Sequence, residues 1–120
     1  MITEQKLFDL SFLEEMDDKN FTVEIIVLYL QDTHNDLREL KRAFDAGDLD
    51  TVHKTAHKLK SSTGLLQANK LFTILEKTEI IAKAGGKTSQ LAELVQTAQY
   101  EFDQLKTGLE LHLQGIQTAA

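Results

Sequence analysis

An all-α fold is predicted: an antiparallel up-down-up-down four-helix bundle with a short N-terminal helix capping one end. Three observations predict it. Proline is absent from the 120 residues, so no ring interrupts a helix, whereas β-rich domains ordinarily use proline and glycine at their turns. Glu, Lys, Leu, Ala and Gln, all good helix formers, dominate the composition. Apolar residues recur at steps of three and four along four long stretches, the spacing of one buried helix face.

The elements follow in order. Ser11 and Glu14 have capping-box spacing, which predicts a short helix from Ser11 to about residues 17–19. Asn20 is the predicted cap of a long helix over about residues 20–46, whose inward stripe is Ile26, Leu30, Thr33, Leu37, Leu40 and Phe44. Gly47 suits the residue after that helix, and Asp48 the cap of the next. The third helix carries Leu49, Val52, Ala56, Leu59, Thr63 and Leu66 at the same steps and ends between Leu65 and Asn69. A fourth carries Leu71, Leu75, Thr78 and Ala82, widened by Ile74 and Ile81, and stops at Ala84-Gly85-Gly86-Lys87. The last runs from about Ser89 to about Leu113 on Leu91, Val95, Ala98, Phe102, Leu105, Leu109 and Leu113, with residues 115–120 expected to fray. No second domain or internal repeat is predicted, so residues 1–120 read as one domain.

Composition narrows the function. Cysteine is absent, which excludes disulfides, thiolate metal sites and cysteine nucleophiles. The N-terminal residues lack a basic region followed by a long apolar stretch, and the longest apolar run, Ile25 to Leu30, is far short of the roughly 18 residues of a membrane span. A soluble cytoplasmic protein, without membrane contact, is the expectation. The net charge of −6 is unevenly placed: residues 1–50 hold 5 basic and 13 acidic side chains, residues 51–87 hold 7 and 2, and residues 88–120 hold 1 and 4. One basic island in an acidic chain argues against nucleic acid, whose backbone the rest would repel, and for a local acidic or phosphorylated partner.

That island contains His53 and His57, whereas His34 and His112 stand among polar helical neighbours and read as solvated surface residues. His53, His57, Lys60 and Gly64 step by four, three and four along a row that flanks the third helix's buried stripe and is expected to face solvent. Lys54, Lys58 and Lys60 surround His57 with positive charge, and Ser61, Ser62, Thr63 and Gly64 leave room beside the imidazole. On composition alone the segment also reads as a basic solvated face with small residues for close helix packing. A glycine inside a helix is less favourable than alanine by about 1 kcal/mol, however, and so calls for a packing or access role.

The order of residues decides further. Ala56-His57-Lys58-Leu59-Lys60-Ser61-Ser62-Thr63-Gly64-Leu65-Leu66 resembles the signature of histidine-containing phosphotransfer (HPt) domains, roughly H-x-L-K-G-S-S-x-x-L-G. His57, Leu59, Lys60, Ser62 and Leu66 match in place, Ser61 stands at the first glycine position, and Gln67 stands where the second glycine is usual. The five-helix plan also resembles the family fold. The resemblance implies that His57 is the phosphoacceptor, receiving its phosphoryl group from a receiver-domain aspartate or from a sensor or hybrid histidine kinase and passing it to a response-regulator receiver. It implies that Lys60 lies near the phosphoryl group, and that Lys54, Lys58, Ser61 and Gly64 serve docking.

The chemistry agrees: imidazole is nucleophilic when neutral, and histidine's reference pKa of about 6.5 leaves it mostly neutral near pH 7. An imidazole attacking through Nε2 needs its Nδ1–H held, and the fourth helix is expected to supply the acceptor. Glu79, one position after Thr78, is the first candidate and Glu76 the second; Glu79 reads equally well as a surface partner of Lys83 at i+4. Leu65 and Phe12 are candidates for an apolar docking patch. No cofactor is expected on this chain, the Mg2+ of the transfer belonging to the receiver, and no autonomous kinase activity, because no glycine-rich nucleotide loop is present. A monomer is expected.

Two other classes fit part of the pattern. His53 and His57 have the i, i+4 spacing of a helical zinc site, but HEXXH is absent and the lysines would repel a cation. A helical interaction module without phosphotransfer is the alternative reading, against which the retention of both His57 and Lys60 argues.

Overall fold

Caps and periodicity define the helices of the computed structural model, which describes residues 7–86 and 88–119, with side chains through Ile116. Among these residues there are five helices, α1 (Ser11–Glu14), α2 (Lys19–Asp45), α3 (Leu49–Leu65), α4 (Asn69–Lys83) and α5 (Ser89–Ala119), and no strand. The Asp48 side chain accepts from the Thr51 N–H at 3.1 Å and caps α3. Gly47, at φ +76°, makes the reversal between α2 and α3 in the left-handed region that glycine enters freely.

Each long helix packs chiefly on two others: α3 on α2 and α4, and α5 on α4 and α2. The core is mostly aliphatic, with Ile26, Leu40, Val52, Leu59, Leu66, Leu75, Leu91, Phe102, Leu105 and Leu109 almost wholly buried. The expected inward residues of α3 and α4 are buried or half-buried throughout. Two polar contacts cross this core. Tyr29 Oη and Thr63 Oγ1 are 2.8 Å apart between α2 and α3, and burial pushes the Tyr29 hydroxyl's pKa up against the opposing bonds to Thr63 and Thr33. The buried Glu101 carboxylate of α5 pairs with Lys70 of α4 at 3.2 Å.

The N-terminal segment straps one end. Leu10 and Leu13 are buried, and the Asp9 N–H donates to the Leu66 carbonyl at 2.9 Å, tying the segment to the α3–α4 turn. Phe8 stands edge-on to His112 at 6.2 Å between ring centroids. It approaches Gly108 so closely that a Cβ there would lie 3.1 Å from its ring. The capping role expected of the short helix is therefore shared with the residues before it.

Several local expectations need correction. The capping box does not form: Asp9 accepts from the backbone N–H and the hydroxyl of Ser11, so Ser11 is the first helical residue and not the cap. The first helix ends at Glu14, and the reversal that follows puts Asp17 at φ +49°. Asp18, not Asn20, caps α2, accepting from the Phe21 N–H at 3.0 Å. Tyr29 and Ala43 are buried where Leu30 and Phe44 were expected, the latter two being half-buried. Over 27 residues the 3.6-residue repeat drifts from a strict four-three stepping, and Tyr29 finds a buried partner for its hydroxyl. His112 is half-buried against Phe8 and not simply solvated. The last helix continues past Leu113 to Ala119; Ala120 lies outside the described residues, as does Lys87 of the predicted break.

Gln67 resolves the departure from the glycine pattern. It adopts φ +49° in the turn between α3 and α4, a left-handed conformation that glycine enters freely. A non-glycine residue is held there by the Gln67 N–H bond to the Gly64 carbonyl at 3.1 Å and by the strap on Leu66.

Candidate functional site

The site is built across the α3–α4 seam. The amphipathic stripe of α3 buries Val52, Ala56, Leu59 and Thr63, which turns His57 outward; its side chain is 62% exposed. On α4, burial of Leu75, Thr78 and Ala82 sets Glu79 at the edge of the seam, 14% exposed. The two meet: His57 Nδ1 lies 2.7 Å from Glu79 Oε1. The other carboxylate oxygen, Oε2, is 2.8 Å from Lys60 Nζ, an ion pair in which the ammonium stands off the directions of good hydrogen-bond alignment. Lys60 itself is only 21% exposed and lies over the Phe72 ring at 6.0 Å.

One carboxylate thus serves two partners. The Lys60 ammonium holds the Glu79 carboxyl below its ordinary pKa; partial burial opposes this, and the His57 ring adds to the lowering. Glu79 reciprocally raises the Lys60 ammonium above its ordinary value. An ionised Glu79 accepts only, so the proton of a neutral His57 resides on Nδ1. Nε2 then carries the lone pair, and it has no protein partner among the described residues.

Of the expected site residues, His57, Lys60 and Glu79 come together. Glu76 is exposed and is not the imidazole's partner. Glu79 does not pair with Lys83. Lys54 and Lys58 are exposed, yet each already has a carboxylate, Asp50 at 2.9 Å and Asp36 at 3.1 Å. The basic island is therefore partly compensated from α2 and from the first turn of α3. Ser61 turns its hydroxyl onto the His57 carbonyl at 3.2 Å. A Cβ on Gly64 would meet Phe72 at 3.5 Å, an ordinary contact, so packing within the chain does not require this glycine. Leu65 and Phe12 are 47% and 48% exposed.

His53 departs from its expected solvent-facing setting: it is half-buried, with Nδ1 3.4 Å from the Glu79 backbone carbonyl. His53 and His57 thus bracket Glu79 through its main chain and side chain. Among the described residues no group of three or more His, Cys, Asp or Glu could hold a metal ion. Asp36 was not among the expected site residues, and the contact of His53 was not foreseen, because both pairings depend on the rotation of α2 and α4 against α3.

The described helices display one imidazole backed by a carboxylate and an ammonium, and comparison with known proteins shows the family to which they belong. A sequence model of the Hpt domain matches residues 24–118. The chain is 25% identical over 89 residues, 74% of its length, to the sensor protein EvgS of Escherichia coli K12, and equally to EvgS of Escherichia coli O157:H7. It spans about 7% of the length of those sensor proteins. Its fold matches the crystal structure of histidine-containing phosphotransfer protein B (HptB) from Pseudomonas aeruginosa PAO1 with a TM-score of 0.85. That match has 22% identity and covers 92% of this chain and 97% of that one. The chain belongs to the Hpt domain family, whose function is histidine phosphotransfer in two-component phosphorelays. No helix among the described residues is long and apolar enough to cross a membrane.

Proposed function

We propose that His57 is the phosphoacceptor of this Hpt domain. The observation that carries the reading is the 2.7 Å contact from His57 Nδ1 to Glu79 on a ring that is otherwise largely exposed. It fixes the ring plane and leaves Nε2 directed away from the protein. The Nε2 lone pair attacks phosphorus, a P–N bond forms, and the P–O bond to the donor aspartate breaks with the electron pair leaving on that carboxylate. No proton need move. The ring, still protonated at Nδ1, becomes formally cationic, and Glu79 lies against the atom that shares this charge. Lys60 offsets the phosphoryl group's roughly 1.5–2 negative charges. In the return step Nε2 is the leaving group and the neutral Nδ1–H imidazole is restored.

The partners of this reading are response-regulator receiver domains and a sensor or hybrid histidine kinase. The receiver supplies Mg2+, which neutralises charge on the transferring phosphoryl oxygens; this chain contributes the nucleophile and no kinase activity of its own. Ser61 and Gly64 keep the approach to the ring low, Leu65 and Phe12 offer apolar contact, and Lys54 and Lys58 exchange their partners, the exposed Asp50 and the half-buried Asp36, for carboxylates of an acidic receiver pocket. The domain works as a cytoplasmic monomer. Its four long helices run up, down, up and down. The pairs Tyr29–Thr63 and Asp36–Lys58 support the antiparallel run of α2 and α3, because they advance along α2 while retreating along α3.

Incubation with a phosphorylated receiver domain tests the proposal. The wild-type chain is expected to gain acid-labile, base-stable phosphate, and His57→Gln to gain none while keeping its helical circular dichroism. Uptake by a folded His57→Gln variant would move the acceptor elsewhere.

A further inference from the structure

The four long helices contact one another in the cyclic order α2, α3, α4, α5, so the α2–α5 seam lies across the bundle from the α3–α4 seam that carries His57. An open groove of about 910 Å3 runs along it. Its apolar lining comprises the buried Leu37 and Val95, the half-buried Phe44, Ala92 and the 60% exposed Tyr100. The α5 wall extends from Ala92 to Asp103, about 16 Å at a helical rise, the length of three turns.

The rim is unlike the rest of this acidic chain. Arg38, Lys41 and Arg42 line it, against Asp45 and Asp103. The two acids are already engaged, Asp45 by Lys41 at 2.8 Å and Asp103 by Gln99 at 2.9 Å. Arg42 holds Glu39, which lies outside the lining, at 2.6 Å. Arg38 is exposed and has no ion pair among the described residues. The exposed i, i+3 and i, i+4 pairs of Arg42 and Lys41 are weak and exchangeable, so the rim can turn three cations to a visitor.

We propose that this groove docks an acidic amphipathic helix of a partner protein. An apolar stripe at i, i+3 or i+4, and i+7 lies on this apolar lining beside Tyr100, and flanking carboxylates meet Arg38 first and then Arg42 and Lys41. Three turns of wall match that spacing, and the unpaired guanidinium selects negative over positive charge. The site is remote from His57, so the helix is held while a receiver occupies the α3–α4 face; the proposal does not depend on the phosphotransfer reading.

The probes are three synthetic peptides of about 14 residues, roughly four helical turns. One carries Leu and Phe at the stripe positions with Glu elsewhere, one the same stripe with Lys elsewhere, and one the acidic composition with its stripe scrambled. Each is titrated into the isotope-labelled full chain and followed by amide chemical shifts. The acidic amphipathic peptide is expected to move amides of residues 37–45 and 92–103 and to leave those around His57 in place. Arg38→Glu is expected to weaken it about tenfold and Tyr100→Ala several-fold, with the helical spectrum of both variants retained because both side chains are exposed. Phosphoryl uptake by Arg38→Glu should equal that of the wild type. Absence of shifts in the groove, equal binding of the lysine peptide, or shifts confined to the α3–α4 face would overturn the proposal. So would concentration-dependent shifts of the chain alone that Arg38→Glu removes, since a second copy would then be the occupant.

Discussion

Removal of the Glu79 carboxylate is the sharpest perturbation of the site. In Glu79→Ala, the 2.7 Å bond to His57 Nδ1 disappears and Lys60 loses the partner of its half-buried ammonium. A hydrogen bond to a charged group contributes about 1.5–3 kcal/mol, which at 1.36 kcal/mol per decade is roughly 10- to 100-fold in rate. The imidazole is 62% exposed, so water takes over part of the acceptor's role and the lower end applies. A fall of about tenfold in the initial rate of phosphoryl uptake is expected. Glu79→Gln keeps an acceptor oxygen but no charge and should lose only a few-fold. The assay pairs uptake from a phosphorylated receiver with 15N NMR of the His57 ring. The wild type should show mainly the Nδ1–H tautomer, Glu79→Ala a mixture. Wild-type rate together with an unchanged tautomer would refute the orienting role and transfer it to solvent. The same carboxylate predicts an acid-side effect. Its pKa is lower folded than unfolded. Its stabilising contribution is therefore complete above the unfolded value near 4.5 and is lost as pH falls through the folded one. The stability gap between wild type and Glu79→Gln should shrink below that pH in urea titrations.

Lys60→Ala should slow transfer several-fold or shorten the phosphohistidine lifetime, followed as acid-labile phosphate over time; unchanged kinetics would reduce Lys60 to a partner of Glu79. Tyr29→Phe removes a buried 2.8 Å bond and leaves the Thr63 hydroxyl without it, a loss of about 1–2 kcal/mol by urea denaturation with phosphotransfer retained. Gln67→Gly relieves a left-handed residue at φ +49°, and the relief of about 1–2 kcal/mol is partly cancelled by glycine's greater freedom when unfolded. A net stabilisation of up to about 1 kcal/mol is expected, and a destabilised variant would mean that the Gln67 side chain holds the turn.

What could be read from the chain alone were the features set within a few turns of helix. Asp48 and Gly47 bound α3 because a cap and a left-handed residue act on adjacent backbone groups. The inward faces of α3 and α4 follow from the spacing of Leu, Val and Thr, and a contiguous stretch from His57 to Leu66 carries the family signature. The same locality misled where competing groups lay close together: Asp9 drew the Ser11 hydroxyl and N–H to itself, and Asp18 preceded Asn20 as the cap of α2. Which partners face one another was decided only when the helices packed. Glu79 stood ahead of Glu76 as the candidate from α4, but only the rotation of that helix on α3 brought Glu79 to both His57 and Lys60. Asp36 met Lys58 and Glu101 met Lys70 for the same reason. Side-chain patterning sets which face of a helix is buried, but the angle and register at which two faces interlock depend on every residue between them. A hydrogen-bonded pair separated by 22 positions, such as His57 and Glu79, exists only as a product of that fit.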